Sequence, residues 1–345
     1  MNSIQDLDKI DREILWNLDL DARIPLTDLA SRVGLSKQGL NYRLNKLTES
    51  GIIKGYYAII DTHRLGLLTY RLYLRLTSTS PAKTEKLLKL LCKHPNTLFV
   101  GTLTGSWDLE VVFTARNFIH FSNILKDLHE PFGTAIYRSN MSMTPVVYGL
   151  RRDYLLSPVR KGPLTPSYGF EPDGTVWDDL DFEILGALAV DGRITYDELA
   201  RRFNVTNHTA KSRMLKMEKA HVIQGYRADI NTKLLGRHYV KALISLAPMS
   251  LKQERELYAA CVKNSFVVYL TEVLGTWQLE IESEVASVGE LDEMIRSLRA
   301  RYPSLITEYD TVVVSEVKKL NYLPSGSATR EILKANPELV KSRAG

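Results

Sequence analysis

Two cysteines in 345 residues, Cys92 and Cys261, are too few for a disulfide framework or a four-ligand zinc site, and both read as small buried hydrophobes. No apolar run approaches the ~20 residues that cross a bilayer, and the opening Met1 to Leu7 lacks the basic, apolar, small-residue order of a signal peptide. The expectation is a cytoplasmic protein with no membrane partner. Phosphate loops ending in GK[ST], HExxH helices, CxxC pairs and GxSxG elbows are missing too. Gly101-Thr-Leu-Thr-Gly105 lacks a phosphate loop's lysine and reads as a hairpin, while Cys92 and His94 read as incidental neighbours at a helix end. No catalytic residue, metal or cofactor is therefore expected. The remainder is ordinary: 44% hydrophobic and 25% charged, a folded chain with length for two or three domains at roughly 150 residues each.

The net charge of +5 is unevenly placed. Residues 31–60 hold Arg32, Lys37, Arg43, Lys46 and Lys54 against Glu49 alone, and residues 201–230 hold seven Lys/Arg against Glu218 and Asp229. Each window follows an acidic one: residues 1–30 carry three basic and seven acidic groups, residues 171–200 one and nine. Two basic patches on a balanced background are the electrostatic footprint of a nucleic-acid binder; a solvated basic face is the plainer alternative.

Shifting the chain by 170 residues aligns it with itself without a gap. Asp11-Arg-Glu-Ile-Leu15 falls on Asp181-Phe-Glu-Ile-Leu185, Ile53-Lys-Gly-Tyr56 on Ile223-Gln-Gly-Tyr226, and Gly105-Ser-Trp-Asp-Leu-Glu110 on Gly275-Thr-Trp-Gln-Leu-Glu280. Prolines 158, 163, 166 and 172, interleaved with glycines, mark an extended linker between the copies.

Each copy divides into a helical and a sheet part. Ile10, Ile14, Leu15 and Leu18 recur at helical spacing, Leu26 to Val33 makes a second helix, Gly34-Leu35 breaks it, and Ser36 caps a third running to about Ser50. That order is a helix-turn-helix, with Ile52 to Ile60 as a strand or wing packed beside it. In the second copy Thr206 is the cap, and Asn204 replaces the turn glycine. Downstream, Leu72, Leu74 and Leu76 alternate with Arg71, Tyr73 and Arg75, which predicts a strand with one wet face; a helix, two strands, a helix and a last strand follow. The fold class is α+β: two repeats, each a winged helix-turn-helix followed by a ferredoxin-like βαββαβ domain.

With Leu40, Leu44 and Leu47 facing the core, Gln38, Tyr42 and Asn45 point outward with Asn41 and Lys46 flanking. Amides can make paired hydrogen bonds to adenine, and cations anchor on phosphate. The same construction with Ala210, Met214 and Met217 inward projects His208, Ser212, Leu215 and Lys219, flanked by Lys211 and Lys216. Candidate base readers are Gln38, Asn41, Tyr42, Asn45, His208, Lys211 and Ser212; candidate phosphate contacts are Lys37, Arg43, Lys46, Arg213, Lys216 and Lys219. Arg43 and Arg213 lie near the apolar edge, where each can equally pair with an acidic residue of the first helix.

The opening Leu7-Asp-Lys-Ile-Asp-Arg-Glu-Ile-Leu15, then Arg23-Ile24, Val33-Gly-Leu-Ser36 and Gly51-Ile-Ile-Lys-Gly-Tyr56 before a βαββαβ domain, resemble the Lrp/AsnC family of transcriptional regulators. The resemblance covers residues 7 to about 150 and 177 to about 322, and departs from the family in fusing two units. It implies helix-turn-helix domains at 1–62 and 177–232, ferredoxin-like domains at 63–157 and 233–322, a linker at 158–176 and a tail at 323–345. It further implies double-stranded DNA as partner, an intrachain pseudo-dimer with higher association left open, and an amino-acid-like effector near Gly105, Trp107, Asp108, Gly275 and Trp277. Two alternatives stay open: a tetrapyrrole decarboxylase of the siroheme type built on the same unit, and a chromatin-like DNA binder of low specificity.

Overall fold

The helix ends obey local rules. Helix α1 (Lys9–Leu20) starts where Asp8 accepts a hydrogen bond from the Asp11 amide, a cap worth about 1 kcal/mol, and it buries Ile14, Leu15 and Leu18. After α2 (Leu26–Arg32), α3 (Lys37–Glu49) begins at Ser36, whose hydroxyl accepts from the Gly39 amide. Gly34 turns the chain between them at φ 70°, a left-handed conformation that side chains resist. Strand β1 (Ile53–Ile60) leaves this head, and β2 (Leu68–Leu76), α4 (Pro81–Lys93), β3 (Thr97–Thr104), β4 (Leu109–Ala115), α5 (Phe118–Phe132) and β5 (Ile136–Gly149) follow. A short β6 (Ser167–Tyr168) precedes the second head: α6 (Asp179–Val190), α7 (Tyr196–Phe203), α8 (Asn207–Lys219) and β7 (Ile223–Ile230). Its turn residue Asn204 holds the left-handed conformation at φ 52°. The second sheet unit is β8 (His238–Leu246), α9 (Leu251–Val262), β9 (Val267–Leu274), β10 (Leu279–Val285), α10 (Val288–Arg301) and β11 (Ile306–Leu320).

This computed structural model describes residues 7–78, 80–156, 167–169, 171 and 174–324. Of the expected linker, positions 158–166, 170, 172 and 173 lie outside the described residues, as does the expected tail from 325 onward.

Long strands join the two sheet units. The first half of β5 pairs with β2 of its own copy, Tyr70 opposite Met143; its second half pairs with β9 of the other, Val147 opposite Thr271. Strand β11 reciprocates, with Thr311 opposite Ala242 on β8 and Val314 opposite Leu103 on β3. The strands thereby close in the order β2-β4-β3-β11-β8-β10-β9-β5 and back to β2, with β6 added beside β5. Closure corrects one expectation. Arg71 and Tyr73 do not face water: both are buried, because the other copy's sheet covers their face, opposite the one that Leu72 and Leu74 present to the helices. Arg75, further along, stays partly exposed and pairs with Asp108.

The wing starts where expected, with Ile52 and Ile53 in the core of Leu40, Leu44 and Leu47, and then crosses over. Strands β1 and β7 pair antiparallel as a two-stranded ribbon, Tyr57 opposite Arg227. The later part of each packs under the other copy's helices. Ala58, Ile59 and Ile60 share an apolar core with Phe182, Leu185 and Leu188, while Ala228 and Ile230 complete the core around Ile14, Leu15 and Leu40. Arg23 Nη1 donates to the Gly192 and Ile194 carbonyls, and Arg193 Nε donates to the Ala22 carbonyl, so the turns of the two heads are cross-tied. A β-carbon at Gly192 would stand 2.7 Å from the Tyr57 carbonyl carbon, which is why glycine occupies that turn.

Neither half can satisfy its strand edges or cover its apolar ribbon face alone. Fragments 1–157 and 170–345, coexpressed, are expected to sediment as a one-to-one complex with a single cooperative unfolding transition. Two soluble monomers that ignore each other in analytical ultracentrifugation would contradict this arrangement.

Candidate nucleic-acid interface

Helix α3 buries Leu40, Leu44 and Leu47, and the opposite face presents Lys37, Gln38, Asn41, Tyr42, Asn45 and Lys46 to solvent. Tyr42 is 69% exposed. Helix α8 buries Ala210, Met214 and Met217 and exposes His208, Lys211, Ser212, Leu215 and Lys219. The two outward rows are chemically unlike: amides and a phenol between two lysines on one helix, lysines, a hydroxyl, an imidazole and Leu215 on the other.

Three of the candidate phosphate contacts have protein partners. Arg43 Nη1 lies 2.7 Å from Asp8 and 2.9 Å from Asp11, and Arg213 Nη1 lies 2.8 Å from Asp178 and 3.1 Å from Asp181. Of the two roles open to Arg43 and Arg213, the pairing with acidic residues of the first helix is the one present here. Each guanidinium ties its helix to the first turn of its head, where the acidic residues also favour the helix N-terminus. Lys216 Nζ donates to the Val176 carbonyl at 3.1 Å and sits 4.7 Å from the centre of the Trp177 ring, which fixes that cation beside the helix.

The hairpin residues suspected of holding an effector are likewise engaged. Asp108 pairs with Arg75 at 3.0 Å and accepts from the Leu76 amide at 2.7 Å. Trp107 and Trp277 are buried around Tyr73 between the sheets, and Trp277 Nε1 donates to Glu280 at 3.0 Å. A β-carbon at Gly105 would meet the Thr311 carbonyl at 3.0 Å, and one at Gly275 the Ser142 β-carbon at 2.8 Å. The glycines serve the approach of one copy to the other.

Between the sheets lies a charged cluster that the strand pattern alone did not disclose. Arg71 Nη1 donates to Glu110 at 2.8 Å, Glu280 at 2.9 Å and Glu282 at 3.2 Å; Lys241 Nζ donates to Glu110 at 2.7 Å and Glu282 at 3.2 Å. Burial would raise the Glu282 carboxyl, but Lys241 and Arg71 outweigh it and hold it at about 2. At Glu280 burial wins, and its carboxyl is raised. A second cluster ties head to barrel. Asp19 on α1 pairs with Arg227 on β7 at 2.7 Å and with Arg152 beyond β5, while Glu284 on β10 accepts from Arg152 Nε at 2.9 Å. Burial opposes ionisation of Asp19, and the two arginines reverse that and lower its pKa.

A winged helix-turn-helix DNA-binding model matches residues 7–54 and 178–224, the two heads. The HTH-type transcriptional regulator FL11 of Pyrococcus horikoshii is 33% identical over 119 residues, 34% of this chain and 78% of the relative. The regulator LrpA of Mycobacterium tuberculosis is 30% identical over 122 residues, 35% of this chain and 81% of its own. The chain belongs to the Lrp/AsnC family. A full-length likeness has a different source: the crystal structure of the siroheme decarboxylase NirDL matches with a TM-score of 0.61 at 14% identity, over 95% of this chain and 99% of that one. At that identity the match shows a shared fold.

Removing Arg71 leaves three buried carboxylates facing Lys241 alone. Arg71→Ala is expected to cost about 3–5 kcal/mol in urea denaturation, and a loss under about 1 kcal/mol would mean the cluster is not electrostatically coupled. The acid response follows from the lowered carboxyls. The stability that Glu282 contributes is complete above its ordinary value of 4.5 and is lost as pH falls toward about 2. Raised Glu280 works in the opposite sense. Glu282→Gln should therefore show a shallower fall in stability through this acid range than the unsubstituted chain, and an equal slope would contradict the assignment.

Proposed function

We propose that this chain is a sequence-specific, double-stranded DNA-binding transcriptional regulator in which one polypeptide carries both heads of a pseudo-dimer. The observation that carries the reading is the pair of winged helix-turn-helix heads, cross-tied through one ribbon, with unlike solvent-facing rows on α3 and α8. In this reading Gln38, Asn41, Tyr42 and Asn45 discriminate bases. Their amides can each make two hydrogen bonds to adenine. His208, Lys211 and Ser212 read the other half-site more loosely, while Lys37, Lys46 and Lys219 neutralise phosphate, with Lys216 near enough to add to the local field. The domain layout, heads at 1–62 and 177–232 and sheet domains at 63–157 and 233–322, belongs to the same proposal.

We take the chain to be a regulator and not an enzyme. Relatives about a third identical to it over the aligned residues are named as regulators, whereas the decarboxylase likeness extends to fold. The side chains add support. His94 is half-buried against Phe113, His120 and His129 lie on the outer helix α5, His63 contacts Thr69 and His238 is exposed at the start of β8, while the hydrogen bonds of the charged cluster among the described residues run between Arg71, Lys241, Tyr239, Trp277, threonines and the glutamates. A tetrapyrrole absorbance band on the purified protein, or release of carbon dioxide from an iron tetrapyrrole, would reverse this assignment.

Selection from random duplexes is expected to return an asymmetric site with two unlike half-sites, spaced by about one helical turn or a multiple of it. A perfect palindrome would refute the use of both heads by one chain. Gln38→Ala and Asn41→Ala should each cost ~1–3 kcal/mol and relax preference at particular base pairs, whereas Lys46→Ala should weaken all sequences alike and reduce the salt slope by about 1. If all three leave both affinity and preference unchanged, α3 is not the reading helix.

A further inference from the structure

The ribbon of β1 and β7 does not lie flat on the barrel. Between them is a cavity of about 470 Å³, within the range of ~300–1,000 Å³ typical of small-molecule sites. Its lining comes from both bodies: Tyr57, Asp229 and Asn231 from the ribbon and its exit, Phe99, Tyr239 and Tyr269 from the barrel. Aromatic rings form much of the wall. Tyr57 stacks on Tyr322 with centroids 4.9 Å apart and planes 10° apart, Tyr168 meets Tyr322 edge-on at 6.4 Å, and the Tyr269 and Tyr322 hydroxyls are 3.4 Å from each other.

Charge around the cavity decides the kind of molecule it suits. The acidic side chains of the wall are already matched: Glu110 and Glu282 hold Lys241 and Arg71, Glu284 holds Arg152, and Tyr239 donates to Glu282. Toward solvent, Lys54 pairs with Asp229 at 2.9 Å and Lys318 with Glu316 at 2.6 Å. Lys233 and Lys319, which also line the cavity, have no carboxylate partner among the described residues. Lys233 Nζ donates to the Ser315 carbonyl and Lys319 Nζ to the His94 carbonyl at 3.2 Å. A half-buried ammonium with only a carbonyl to donate to is poorly compensated, and burial accordingly lowers the Lys319 pKa. The surplus is positive, and it adjoins aromatic walls.

We propose that this cavity binds a small aromatic carboxylate, its anionic group at Lys233 and Lys319 and its ring among Tyr57, Tyr269 and Tyr322, and that occupancy alters how the heads sit on the barrel. The coupling follows from position. Lys233 lies just beyond β7 and Tyr57 on β1, whereas Lys319 and Tyr269 belong to the barrel strands, so one bound molecule would bridge the ribbon to the barrel. The binding step stands independently; only its effect on DNA rests on the regulator reading.

Isothermal titration of the full chain with 4-hydroxyphenylpyruvate, indole-3-acetate and benzoate, beside tyramine, tryptamine and inorganic phosphate, tests the site. At least one carboxylate should bind, with the amines and phosphate inert, and Lys233→Ala and Lys319→Met should each weaken it about tenfold or more. Lys233 is exposed, so its variant keeps the fold and the result stays interpretable. Failure of all three carboxylates at millimolar concentration, or binding that both variants leave unchanged, overturns the proposal, as does preference for the amines or phosphate. Fluorescence anisotropy on a selected duplex should then show the bound carboxylate shifting affinity by about threefold or more, and an unchanged affinity overturns the coupling. A chain that binds the carboxylate but no duplex would support the site and refute the regulator reading.

Discussion

Unpaired backbone at a sheet edge must find a partner, and in this chain that requirement is met across the repeat. Strands β5 and β11 each run past their own sheet and pair with the other copy's, which closes the ring of strands and leaves neither copy a complete fold by itself. The ribbon of β1 and β7 repeats the device one layer up, since each strand completes the apolar core under the other copy's helices. Joining the copies in one polypeptide makes this pairing intramolecular, so the assembly of the two heads does not depend on protein concentration.

Closure turns a strand face into an interior, and fusion lets the two sides of that interior differ. Arg71 and Lys241 are repeat partners, as are Glu110 and Glu280, so the centre of the cluster retains the repeat's symmetry in its charges. Around it the symmetry breaks. Glu282 faces a copy with Val112 at the matching position, Glu284 corresponds to Thr114, Asp19 to Ala189, and Arg227 to Tyr57. A homodimer presents each of these side chains twice, and two such Asp19 or two such Glu282 would upset the balance of buried charge. In a tandem chain one copy can supply the carboxylate and the other the cation. The same freedom gives α3 and α8 their different outward rows.

The interior clusters also bear on how the heads are held. Asp19 belongs to the first head, Arg227 to the ribbon, Arg152 to the segment after β5 and Glu284 to the barrel. A buried network of this kind is stabilising when every member is matched and costly when one is removed, so it favours one relative placement of head and barrel. The cavity beside it shares Arg152 and Glu284 in its lining.

Much of this was legible in the residues themselves. Capping residues and apolar periodicity specify the helices, the strands and the solvent face of each recognition helix, because those features depend on neighbours a few positions apart, and the repeat shows in direct comparison of residues 170 apart. Arg43 and Arg213 stood between two roles until the positions of Asp8, Asp11, Asp178 and Asp181 were known, since a guanidinium's partner depends on where its reach ends. Alternation places Arg71 on a polar face and is silent on what covers that face. Which copy each strand pairs with, which charges are buried and where a cavity opens are long-range outcomes of edge pairing, decided only when the two copies close on each other.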